Sequence, residues 1–237
     1  MLDAIFIQSF DGEIENLKIQ KLLDSLCINL YNRKIKIILF LNFQSIKLSH
    51  KIDIPHGLDI DIVYINEHNA SNPTTQIFHF IINFQTQKYR KILLLESDCH
   101  LLKNFDESIN VQLSELKNKK WLVLGSKYYG LNKWFNESIS GDQSRREHMN
   151  GVAVYNRNMT LLGPINEIIF SKNLTQNSRN YDYCLHENYT NYKIQNQMID
   201  TPLIINISDP LFDLKLTHHQ IKPKAVIIHS KNPLYNI

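Results

Sequence analysis

Apolar runs and helically spaced apolar positions take turns along the N-terminal half of the chain. Residues 4–9 (AIFIQS) form a short apolar run closed by Asp11-Gly12, the pattern of a buried strand ending in a turn. Leu22, Leu23, Leu26 and Leu30 then recur at helical spacing and predict a helix over residues 14–30. Residues 34–43 (KIKIILFLNF) predict a second buried strand, and the alternating residues 58–65 (LDIDIVYI) a third. Pro73 opens a segment carrying Ile77, Phe78, Ile81, Ile82 and Phe84, which predicts a helix over residues 73–86. Residues 92–95 (ILLL) are a fourth strand.

The C-terminal half is less regular. Strands are predicted at residues 121–126 (WLVLGS), 151–155 (GVAVY) and 225–229 (AVIIH), and helices at 167–174 and 181–189. Residues 128–149 are polar, with Gly130, Gly141 and a charged stretch from Asp142 to His148, and read as a loop. Uninterrupted apolar strands alternating with helices define an α/β fold with a mainly parallel, mixed central sheet flanked by helices. No repeat, Pro/Gly-rich linker or composition shift divides the chain, so residues 1–237 read as a single domain. Such sheets bind ligands at their C-terminal strand ends. That rule selects Ser9-Phe10-Asp11, Asn66-Glu67 and Glu96-Ser97-Asp98.

Composition narrows the choice of partners. A chain of 237 residues, 43% hydrophobic, is long enough to bury a core. Its net charge is +3 and its charges are interspersed, which argues against a nucleic-acid partner and suits an anionic small substrate. No stretch approaches the ~20 apolar residues of a membrane span. No basic region leads into an apolar run at the N-terminus, so the expected location is cytoplasmic. Cys27, Cys99 and Cys184 are too far apart for a zinc motif and too few for a disulfide framework. The Asn-x-Ser/Thr triplets at Asn136 and Asn173 follow from the abundance of Asn.

A few residues can carry chemistry. Glu96 and Asp98 are two carboxylates at i and i+2 after a buried strand, so both can reach one hard cation; an acidic turn ending a strand is the plainer reading. His229 closes an apolar strand, as a structural histidine or as a ligand. His100, His218 and His219 read as surface residues. Asp182 is a general base, an acceptor anchor or a helix N-cap, and Asp142 is the second candidate for a base. Arg145 and Arg146 either clamp a diphosphate or belong to a solvated loop. Phe10 and Tyr64 either stack on a base or pack; Asp11 either contacts a ribose or makes a turn before Gly12. Trp134-Phe135 can line an acceptor site.

The run YRKILLLESDCHLLKNF (residues 89–105) resembles the segment of GT-A-fold glycosyltransferases in which a strand delivers a DxD-type motif, here with Glu96 in the first position. Further likenesses follow in order. AIFIQSF resembles the strand that holds base and ribose. Residues 149–155 (MNGVAVY) resemble the "NGGVxLY"-like strand, with one glycine. Tyr181-Asp182-Tyr183 resembles the acidic site opening the next helix, and residues 227–231 (IIHSK) the C-terminal strand whose histidine completes the metal sphere.

The resemblance implies a GT-A-like, metal-dependent transferase moving a hexosyl or deoxyhexosyl group from a nucleoside-diphosphate sugar, a UDP-sugar before a GDP-sugar, to a hydroxyl of a glycan or other glycoconjugate. Glu96, Asp98 and His229 would hold Mn²⁺ or Mg²⁺; Gln8, Ser9, Phe10, Asp11, Tyr64, Ser97, Arg145 and Lys231 would contact the donor. Two other classes stay open: a metal-dependent nucleotidyltransferase or hydrolase, and a non-catalytic sugar-nucleotide-binding module. The absence of a P-loop or GxGxxG motif weighs against the nucleotidyltransferase.

Overall fold

A computed structural model describes residues 1–9, 13–42, 52–65, 78, 80–129, 149–157, 197–207 and 223–230. The described strands are β1 (Ala4–Gln8), β2 (Lys36–Asn42), β3 (Asp59–Ile65), β4 (Lys91–Glu96), β5 (Cys99–Leu101), β6 (Val123–Tyr129), β7 (Met149–Asn156), β8 (Met198–Asp200), β9 (Ile204–Ile207) and β10 (Ile227–Ser230). The helices are α1 (Glu13–Asn29) and α2 (Phe105–Glu115), with a further helical turn at residues 80–83.

The central sheet has seven strands and is mostly parallel. β3, β2, β1 and β4 run in parallel in that spatial order. β7 is antiparallel to both β4 and β6, and β8 is parallel to β6. Continuous apolar strands require both faces of such a sheet to be covered. One face packs Ile5, Ile7, Leu39, Leu93 and Leu95 against Ile19, Leu22, Leu23 and Leu26 of α1 and Phe105, Ile109 and Leu113 of α2. Each such buried side chain is worth ~2 kcal/mol of transfer free energy. The other face packs Phe6, Phe40, Ile92 and Leu94 against Phe78, Ile81 and Ile82. The sequence places α1 and the strands 36–42, 59–65 and 91–96 within a few residues of their observed bounds. Only residues 78 and 80–86 of the helix expected at 73–86 are described, and the helices expected at 167–174 and 181–189 lie outside the described residues.

Four elements are additions to the sequence reading. α2, β5, β8 and β9 have runs too short, or an apolar stripe too narrow, to stand out alone. The expected loop at 128–149 is also shorter than predicted, because β6 continues to Tyr129 and β7 begins at Met149. At β6 the sheet divides. Val123 to Gly125 pair with β8, whereas Tyr128 and Tyr129 pair with β9. β9 then pairs in parallel with β10, and β10 antiparallel with β5. The path β4-β7-β6-β9-β10-β5 therefore curls back on itself, and residues 97 and 98 link its two ends covalently.

Candidate functional site

That curl brings His229 to Glu96 and Asp98. Across the sheet, Val63, Phe40, Gln8 and Glu96 lie in one register row, so the strand ends form a common edge. β4 stops at Glu96, the chain turns through Ser97 and Asp98, and β5 leaves alongside β10 with Cys99 opposite His229. His229 Nε2 lies 3.0 Å from Asp98 Oδ1 and 3.2 Å from Glu96 Oε2. Gln8, fully buried, donates from Nε2 to Glu96 Oε1 at 3.5 Å. On the far side of the ring, His229 Nδ1 lies 3.1 Å from Asn206 Oδ1, and Asn206 Nδ2 donates to the Ser126 carbonyl at 2.8 Å.

The electrostatics follow from burial against charge. Burial alone pushes the His229 imidazole toward its neutral form, but the Asp98 and then the Glu96 carboxylates outweigh it and raise its pKa to about 10. Burial, and then the same two carboxylates, push the Cys99 thiol well up. His100 departs from its expected surface position: β5 pairing half-buries it, and burial lowers its pKa. The raised pKa favours a charged His229 ring, with Nε2 facing the two carboxylates.

The donor set also fits a divalent cation. One oxygen from each carboxylate and an imidazole nitrogen all lie within 4.8 Å of one another. Two adjacent ligands of an octahedral ion held at ~2.1 Å stand about 3.0 Å apart, close to the 3.0 and 3.2 Å found here. Two hard oxygens and one nitrogen suit Mg²⁺ or Mn²⁺, with the nitrogen favouring Mn²⁺. Glu96, in spite of its longer arm, comes to 3.2 Å from Nε2, against 3.0 Å for Asp98.

The remaining sequence candidates divide into four groups. Gln8 and Ser97 are at the cluster and buried. Ser9 is next to it, with its hydroxyl donating to the Phe40 carbonyl at 3.2 Å, which fastens β1 to β2. Tyr64 is not brought there. It is three strand spacings from Glu96, about 14 Å. Strand alternation also puts it with Ile60 and Ile62 on the α1 face, whereas Val63 packs on the opposite one. Phe10, Asp11, Asp142, Arg145, Asp182 and Lys231, with Arg146, Trp134, Phe135, His218 and His219, lie outside the described residues. Asn206 was not among the sequence candidates. It interrupts the apolar run LIINI (residues 203–207) rather than closing one, which gives it no signal of the kind His229 has.

The fold of this sheet is GT-A-like. The chain is similar to mouse xyloside xylosyltransferase 1 (TM-score 0.55, 10% identity, covering 96% of this chain and 97% of that one). It is also similar to the glycosyltransferase GlyE of Streptococcus pneumoniae TIGR4 (TM-score 0.58, 16% identity, 100% and 57%). A third likeness is to the bifunctional glycosyltransferase WbbM (TM-score 0.63, 15% identity, 98% and 46%). The chain thus spans about half the length of GlyE and WbbM. No family model matches the sequence, and no curated protein does. No helix among the described residues is long and apolar enough to cross a membrane.

Proposed function

We propose that this chain is a metal-dependent glycosyltransferase that moves a sugar from a nucleoside-diphosphate sugar to a hydroxyl of a glycan or other glycoconjugate. One observation carries the reading: Glu96, Asp98 and His229 converge at the C-terminal end of β4 in a sheet of glycosyltransferase type. In this reading the three side chains hold Mn²⁺ or Mg²⁺. When bound, the ion supplies positive charge against the negative charge that grows on the leaving diphosphate.

The chain's own residues do the rest. Gln8 steadies Glu96 through its hydrogen bond, and the Ser9 anchor fixes the end of β1 beside it. Phe10 and Asp11 follow directly and are assigned to the base and ribose. Ser97 spaces the two carboxylates. Arg145 and Lys231 are assigned to the diphosphate. Asp182, with Asp142 second, takes the proton of the acceptor hydroxyl if the transfer inverts and anchors the acceptor if it retains. β6, shared by both parts of the sheet, supports reading residues 1–237 as one domain. Tyr64, the other candidate for stacking on the base, lies three strands from the metal cluster.

Calorimetric titration with UDP, GDP, dTDP and CDP, each with and without Mn²⁺, tests the reading. One nucleotide, UDP by preference, should bind only with the metal and should raise Tm. Failure of all four to bind in the presence of Mn²⁺ would refute it.

A further inference from the structure

A histidine ring has two nitrogens, and the hydrogen bonds around His229 determine which one is left for a metal. The Ser126 carbonyl can only accept, so the Asn206 amide must present Nδ2 to it, as the 2.8 Å contact shows. Asn206 Oδ1 is thereby turned toward His229 Nδ1, 3.1 Å away. An amide oxygen can only accept, so Nδ1 must carry the hydrogen. The lone pair of the neutral ring is then on Nε2, which faces Glu96 and Asp98. Every link in this chain is buried: Ser126 and Asn206 fully, His229 to 5% exposure. Water is poorly placed to substitute for any of them.

The fold places this carbonyl at a change of strand partners. Ser126 sits where β6 leaves β8 for β9, and where the pairing of β6 with β7 shifts register between Gly125 and Lys127. Ser126 thus lies between the β8 and β9 pairings of β6. Asn206 lies directly across from His229 in the β9–β10 register.

We infer that Asn206 is a positioning residue of the metal centre, which fixes His229 in the Nδ1–H form and aims Nε2 at the ion. The inference rests on the metal reading proposed above. Groups of this kind, one step behind a ligand, change metal affinity by about 10–100-fold when removed.

The test joins Mn²⁺ calorimetry to ¹⁵N NMR of the His229 ring. In wild-type protein loaded with Mg²⁺, the proton should be on Nδ1 and exchange slowly; a proton on Nε2 overturns the inference without any variant. Asn206→Leu should weaken Mn²⁺ binding about 10–100-fold and speed exchange of the Nδ1 proton. Asn206→Asp keeps an oxygen toward Nδ1 but sets another against the Ser126 carbonyl. It should therefore lower Tm while holding Mn²⁺ affinity near the wild-type value, a separation that a merely structural residue would not give. Wild-type protein that binds no Mn²⁺ refutes the metal reading itself. Wild-type protein that binds Mn²⁺, with Asn206→Leu binding it equally well, refutes only the role of Asn206.

Discussion

His229 is held between burial, which favours the neutral ring, and two carboxylates, which favour the charged one. The carboxylates prevail, and the pKa rises from 6.5 to about 10. A group whose pKa is raised by folding stabilises the folded state fully below its unfolded value, and that contribution disappears as pH climbs through the folded value. Metal-free protein should therefore lose stability between about pH 6.5 and 10. In His229→Gln that loss should be absent, so denaturation midpoints of the two proteins should converge with rising pH. A constant difference between them across this range would contradict the ion triad. At this scale the sequence was informative for Glu96, Asp98 and His229, because a polar residue closing an apolar run is visible. It was uninformative for Asn206, whose role exists only once β9 and β10 are paired. Tyr64 went the other way: its position at a strand end was legible, but its face depended on the parity of β3 against its neighbours.

Among the elements, the helical turn at residues 80–83 is tied to the sheet by one side chain. Arg157, fully buried after β7, donates to the carbonyls of Ile82 and Tyr89 at 2.8 Å each and to that of Phe84, and its guanidinium lies 5.5 Å from the Phe6 ring centroid. Burial lowers its pKa to about 10. Among the described residues its partners are backbone carbonyls. Arg157→Met fills the space but leaves buried carbonyls unsatisfied, and should cost ~2–4 kcal/mol in denaturant unfolding. A loss under ~1 kcal/mol would show that water replaces the guanidinium. α2 illustrates why other elements escaped the sequence pattern. Its buried stripe is Phe105, Ile109 and Leu113, one residue per turn, while Val111 is 57% exposed. The fully buried Asp106 fixes it in tertiary structure by accepting from the backbone N–H groups of Tyr31 and Asn32. That contact spans 75 residues and has no local signature.

At the scale of the molecule, the site is a product of closure. The strands 4–8, 36–42, 59–65 and 91–96 were legible because each is a run of apolar residues or a clean alternation. The curl through β6, β9, β10 and β5 was not, because β5 has three residues and β9 four, and their order in space follows from pairing alone. Yet that curl brings His229, far along the chain, to within 3.0 Å of Asp98. A metal held there would clasp the two ends of the path where residues 97 and 98 already join them. Mn²⁺ titrated calorimetrically into wild-type protein and into Asp98→Asn tests this most directly. Wild-type protein should bind one equivalent with release of a proton, because the ion displaces the proton on Nε2, and Asp98→Asn should stay folded with binding abolished. Equal Mn²⁺ binding in the two proteins, or none in the wild type, would contradict the centre at Glu96, Asp98 and His229.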